Sequence, residues 1–238
     1  EKWQINPDRL ERLIDKKKTV AILINTPANP TGTVLDKKVL KEIADIAVEH
    51  DLYIFSDEAY EKIVYGKRHI SIGSFNGMEE HVVTFQSFSK SYAMAGYRLG
   101  YVAAPPKLAE AIAKTHVYST ICAPTFSQML GIKALSMQKK YVAKMVNEYR
   151  KRKDFIYKRL NEIGLKTTKP DGAFYTFSNI GRKNSQRFAK KLLAKAHVAT
   201  IPGSEFGSYG EGYIRCSYAT KIDRIEAAMD KMERFLKN

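Results

Sequence analysis

The sequence predicts an α/β protein: a mostly parallel sheet flanked by helices, followed by a smaller α+β unit. Two observations carry this. Apolar runs of strand length recur at 19–24, 52–55, 82–85 and 99–104, and each closes in a polar or proline-rich turn. Such continuous runs fit strands buried on both faces of a parallel sheet. Between and after them, apolar residues return at helical spacing, as at Val39, Leu40, Ile43, Ile46 and Ala47.

Taken in order, Leu10 to Ile14 reads as a short helix and Thr19 to Ile24 as the first strand. The turn Asn25-Thr26-Pro27-Ala28-Asn29-Pro30-Thr31-Gly32 is dense in breakers. Asp36 stands where a helix cap would stand before Val39. Leu52 to Phe55, Val82 to Phe85 and Leu99 to Ala104 give three further strands. A helix is expected from Pro106 to His116. Residues from Phe126 to Ile163 read as helical throughout, too long for one ordinary helix, so a break is expected near 136–140. Strands then follow around 173–177, 198–201 and 213–217, with helices around 185–196 and 223–236. The expected division is 1–136 for the larger domain and 137–238 for the smaller one.

The chain has 238 residues, 44% of them apolar, enough for a sizeable core. It contains no apolar run long enough to span a membrane. Its start, Glu1-Lys2-Trp3-Gln4, shows no apolar leader. A soluble, cytoplasmic protein is expected. Cys122 and Cys216 form no CxxC pair, and the five histidines are scattered. No metal site or disulfide is therefore expected. The net charge of +15 suits either a nucleic-acid footprint or a solvated, lysine-rich surface. Basic residues interleave with apolar ones in helical stretches, so the solvated surface is preferred and no nucleic-acid partner is expected.

The first three strands all run into polar groups: Asn29 after the first, Asp57 and Tyr60 after the second, Ser87, Ser89 and Lys90 after the third. Ligands of open α/β sheets bind outside the carboxyl ends of the strands. An amide, a carboxylate, a phenol, two hydroxyls and an amine gathered there suit a polar, aromatic, phosphorylated ligand.

These residues resemble a known family. Asn29-Pro30-Thr31-Gly32, Asp57-Glu58-Ala59-Tyr60, Ser87-Phe88-Ser89-Lys90 with Arg98 eight residues on, and Tyr213-Ile214-Arg215 are similar, in order and spacing, to pyridoxal-phosphate-dependent aminotransferases of fold type I, class I and II, of the aspartate aminotransferase kind. The resemblance implies pyridoxal 5'-phosphate as cofactor, held as an aldimine on Lys90, and transfer of an amino group between an amino acid and a 2-oxo acid. Lys90 would also move the substrate proton. Asp57 would keep the pyridine nitrogen protonated, so that the ring can take up electrons. Asn29 and Tyr60 would hydrogen-bond the ring oxygen. Ser87, Ser89 and Arg98 would bind the phosphate, the guanidinium as a bidentate fork. Arg215 would clamp the substrate carboxylate, since a cation inside an apolar strand is costly without a partner. Asn29 belongs to the same substrate-binding set. The segments 171–175 and 202–207 resemble loops near the substrate.

The resemblance also implies a homodimer. Members of the family carry a much longer segment ahead of the Asn-Pro-Thr-Gly turn than the 28 residues here. An N-terminally truncated chain is therefore expected, one that alone holds the cofactor weakly. Two alternatives stand beside the leading reading: a carbon–sulfur lyase or related α-amino-acid enzyme of the same fold, and a non-catalytic remnant.

Overall fold

The computed structural model describes residues 3–237, and they fall into two compact units. One contains residues 4–27 and 34–142. The other contains Trp3, 28–33 and 143–237.

In the first unit, β1 (Ala21–Asn25), β2 (Tyr53–Asp57), β3 (Val82–Ser87) and β4 (Gly100–Ala103) form a sheet in that order. β1, β2 and β3 are parallel, and β4 runs antiparallel to β3. Helix α1 (Pro7–Glu11) opens at Asn6, whose side chain accepts from the Arg9 amide, with Pro7 just inside. It thus lies earlier than the 10–14 expected. Helix α2 (Lys37–Glu49) buries Leu40, Ile43, Ala44, Ile46 and Ala47 on one stripe. That stripe shares a core with Ile22, Ile24, Leu52 and Ile54. Each fully buried Ile or Leu there contributes roughly 1.5–3 kcal/mol. Asp36 takes the cap position of α2, but its side chain makes no cap bond. It pairs instead with the Lys67 ammonium at 2.8 Å.

Helix α3 (Phe88–Ser91) follows β3 directly. Then come α4 (Pro106–Thr120), α5 (Thr125–Leu135) and α6 (Lys139–Glu162). The break at 136–138 falls where expected. The strand expected at 99–104 is present, but not as a buried one: every residue of β4 is exposed. Its apolar character therefore does not report burial here.

In the second unit, β5 (Tyr175–Asn179), β6 (Ile201–Pro202) and β7 (Tyr213–Ser217) form an antiparallel sheet in the order β5-β7-β6. Helices α7 (Ser185–Ala196) and α8 (Ile222–Lys237) accompany it. Leu192, Ile214, Met229 and Met232 are fully or almost fully buried, as are Ile156 and Leu160 of α6. Phe177 stacks on Tyr213 at 4.9 Å, and Trp3 meets both rings edge-on. Strand β5 begins two residues later than expected, because Ala173 adopts φ +54°, which an extended strand excludes.

Candidate active site

Parallel pairing aligns the carboxyl ends of β1, β2 and β3, with Asn25 opposite Asp57 and Asp57 opposite Phe85. Side chains alternate across a strand, so Asp57 shares a sheet face with Phe55, Phe85 and Ser87. The Phe55 and Phe85 rings meet there at 6.0 Å, edge to face. Asp57 is half-buried, and its Oδ1 accepts from the Ala59 amide at 3.1 Å, which shapes the turn toward Tyr60. Tyr60 is buried.

Ser87 caps α3: its hydroxyl accepts from the Ser89 amide at 3.2 Å. The extended chain of β3 does not continue past Ser87. The chain instead turns helical at Phe88, carrying Ser89 and Lys90 on the first turn. The Ser91 hydroxyl donates to the Ala59 carbonyl at 3.3 Å and ties this turn to the one bearing Tyr60.

Arg98 sits in the left-handed region, φ +53°, just before β4. Because β4 is antiparallel, Gly100 pairs with Ser87 and Phe88 donates to the Leu99 carbonyl at 3.1 Å. Arg98 therefore returns to the end of β3. A Cβ at Gly100 would lie 2.7 Å from the Gln86 carbonyl oxygen, so the approach requires glycine. Gly96 faces open space and has no such role. Arg98 is exposed, and its Nη1 donates to the Ala95 carbonyl at 3.0 Å.

The opposite sheet face holds a group to which the sequence pointed no role. Glu58 is 1% exposed and accepts from Ser56 at 2.9 Å, Ser71 at 2.8 Å, His69 Nε2 at 2.9 Å and Gln86 at 3.4 Å. Four donors suit a carboxylate and satisfy it within the protein. His69 Nδ1 is buried without a hydrogen-bond partner. Adjacency was the available signal: next to Asp57 on a strand, Glu58 must face the other side. Beside this group Tyr101, though exposed, is pushed above its ordinary value, first by partial desolvation and then by Glu61. Burial depresses Lys62, but its hydrogen bond and charge contact with Glu61 outweigh that, and it too ends raised.

In the second unit, Arg215 lies on β7. Its Nη1 donates to Asn29 Oδ1 at 2.9 Å. Its guanidinium carbon lies 4.6 Å from the centre of the Tyr175 ring and 5.2 Å from that of Phe206. Its Nε is buried without a hydrogen-bond partner. Among the described residues no carboxylate pairs with it. An internal salt bridge, the plain alternative for a charge in a strand, is thus absent there.

Asn29 is not delivered by the end of β1, which stops four residues earlier. It rides on the 28–33 turn, which belongs to the second unit. Gly32, at φ +70°, accepts from the Asp171 and Gly172 amides at 2.9 and 2.8 Å, and a Cβ there would clash with Pro170. The 171–175 and 202–207 segments thus acquire roles: one seats the Asn29 turn, and each provides a ring against Arg215. Next to it, the Cys216 thiol is fully buried, and burial pushes it up to about 12, so it stays protonated. Glu11, Glu49 and His50 gather on a surface within 4.8 Å, a grouping that exposed acids form without an ion.

Asp57, Tyr60, Ser87, Ser89, Lys90 and Arg98 therefore all belong to the carboxyl-end side of one sheet. Asn29 and Arg215 meet in the other unit.

Residues 1–232 match the family model for aminotransferase class I and II. The chain is 48% identical to an aspartate aminotransferase of Pyrococcus abyssi, over 99% of this chain and 61% of that protein. It is 47% identical to aromatic-amino-acid aminotransferase 2 of Thermococcus litoralis, over the same shares. Among solved structures, the aromatic aminotransferase from Pyrococcus horikoshii superposes with a TM-score of 0.95 at 48% identity, over 99% of this chain and 64% of that one. The aspartate aminotransferase of Thermus thermophilus with maleate gives 0.91 at 36% identity, over 97% and 60%. The chain spans about three fifths of the length of the curated relatives it matches. By the match over residues 1–232 and by these relatives, the chain belongs to the aminotransferase class I and II family.

Proposed function

We propose that this chain carries the reactive lysine and anion-binding groups of a pyridoxal-phosphate-dependent aminotransferase, which moves an amino group between an amino acid and a 2-oxo acid. The observation that carries this reading is the parallel register of β2 and β3. It sets Asp57 at the same sheet edge as Ser87, Ser89 and Lys90.

The donor set fits the cofactor. Ser87, Ser89 and Arg98 offer two hydroxyls and a planar fork to a phosphate dianion. Asp57 offers a carboxylate to a pyridinium N–H, and Lys90 an amine to the aldehyde. When bound, the cofactor supplies that aldehyde and a ring that takes up electrons from the substrate Cα. The chain's own residues do the rest. Lys90 Nζ takes the proton from the substrate Cα and returns it, worth roughly 10²–10⁴-fold. Asp57 holds the ring nitrogen in its protonated form. Tyr60 donates to the ring oxygen, and the resemblance gives Asn29 the same bond. Arg215 pairs with the substrate carboxylate through its buried Nε and remaining N–H groups, with Asn29 Oδ1 fixing the fork. Homodimeric assembly and a cytoplasmic location complete the proposal, on the strength of the resemblance.

The test is an amino-transfer assay at saturating cofactor, with aspartate and an aromatic amino acid as donors and a 2-oxo acid as acceptor. Transfer that disappears in Lys90→Ala supports the reading. Transfer that persists in Lys90→Ala defeats it.

A further inference from the structure

The second unit carries a charged cavity away from every residue assigned above. The carboxyl-terminal halves of α7 and α8, with Arg182 and His197, border an open cavity of about 680 Å³, lined by these two residues and by Lys191, Lys195, Lys231 and Arg234. No acidic side chain lines it. Among the described residues, Arg182, Lys191, Lys195, Lys231 and Arg234 make no ion pair.

Helix α8 explains the imbalance. Its acids fall on one stripe, Asp223, Glu226, Asp230 and Glu233, at helical spacing. Arg159 of α6 pairs with Asp230 at 2.9 Å and Glu233 at 3.0 Å, and Lys237 pairs with Glu233 at 2.8 Å. Asp230 and Glu233 are thereby drawn to the α6 side. Lys231 and Arg234, one position on, face α7 without compensation. Fixed cations gathered within a screening length repel one another, and a multivalent anion relieves that repulsion.

A second cavity adjoins it. It holds about 350 Å³ and shares His197 and Lys231 with the first. Ile156, Val198, Met229 and Met232 form the apolar part of its wall, beside Ser217, Thr220 and Arg224. Thr200 also lines it, with a hydroxyl that is buried and has no hydrogen-bond partner. A buried hydroxyl without a partner is costly and marks a place for a polar ligand atom. A bare polyphosphate or a nucleic-acid backbone would fill the basic cavity and leave the second, with its apolar floor, unused.

We propose that this pair of cavities binds a nucleoside polyphosphate. The phosphates lie among Lys191, Lys195, Lys231 and Arg234, and the base lies against Met229 and Val198, within reach of the Thr200 hydroxyl. The proposal does not rest on the transferase reading.

The test is titration calorimetry of the whole chain at near-physiological salt with ATP, inorganic tripolyphosphate, adenosine and a short DNA duplex. ATP should bind saturably, about tenfold or more tighter than tripolyphosphate. The double variant Lys195→Glu/Lys231→Glu should weaken ATP about tenfold or more, while Lys16→Glu/Lys17→Glu, with the same change in net charge, should leave it within about twofold. Should the first pair fail to fold, photolabelling of the unaltered chain with 8-azido-ATP should mark 197–200 or α8. Four results would each overturn the proposal: no saturable ATP binding, equal affinity for tripolyphosphate, equal loss in the two double variants, or duplex DNA binding more tightly than ATP.

Discussion

Arg98 and Arg215 are the two arginines of the proposed transferase site, and their two regions hold them in different ways. Arg98 is exposed, positioned by a left-handed backbone turn and by the antiparallel entry into β4, and its one recorded hydrogen bond is to a carbonyl of its own turn. Arg215 is gripped by side chains: Asn29 at one N–H, Tyr175 and Phe206 against its plane, and burial around its Nε. The first region places a cation through main-chain geometry and leaves its fork to be oriented by the ligand. The second builds the fork's orientation in advance. Preorganised charge should discriminate more sharply between carboxylate geometries, while the main-chain device should tolerate side-chain change better.

The largest expected effect lies outside the comparison and sets its scale. Lys90→Ala should lower amino transfer by roughly 10²–10⁴-fold, measured as turnover at saturating cofactor. Next, Arg215→Lys should cut kcat/KM by roughly 10–100-fold, since a hydrogen bond to a charged group contributes about 1.5–3 kcal/mol. The same change at Arg98 should act mainly on cofactor affinity, by about tenfold or less, read by fluorescence titration. Equal effects of the two lysine variants on kcat/KM would erase the distinction drawn here.

Gly100→Ala probes the main-chain device itself. The added Cβ must displace the Gln86 carbonyl, at about 1–3 kcal/mol, and the melting temperature should fall together with cofactor affinity. Glu58→Gln tests the buried group behind Asp57. It converts an acceptor-only group serving four donors into an amide that must also donate, and should cost about 1–3 kcal/mol in chemical denaturation. If Glu58→Gln left stability untouched, the hydrogen-bond set around it would not be holding the strand ends.

The smallest effect is in acid. Glu211 is held below the usual carboxylate range, first by the Ser185 amide and further by Gly212. A depressed folded-state value contributes stability above the unfolded value, lost as pH falls through the folded one. Melting temperature should therefore decline on acidification below the ordinary glutamate range, and less so in Glu211→Gln.

Much of this was legible in the sequence because burial leaves a plain signature. β1, β2 and β3 are written as apolar runs, and α2, α7 and α8 as apolar stripes. The order of Asp57, Tyr60, Ser87, Lys90 and Arg98 follows from strand ends. Other features rest on long-range packing and leave no local trace. β4 is as apolar as a buried strand, yet every residue of it is exposed. Asn29 follows β1 in sequence, but Gly32 docking against 170–172 assigns its turn to the other unit. His69 reaches back eleven positions along the chain to Glu58, which no periodicity encodes.

The most direct measurement is borohydride trapping of pyridoxal phosphate on the purified chain, with peptides mapped by mass spectrometry. Lys90 should be labelled well ahead of every other lysine, and labelling should shift or vanish in Lys90→Ala. Labelling spread evenly over the many surface lysines, with Lys90 no more reactive than the rest, would contradict its assignment as the cofactor-bearing residue.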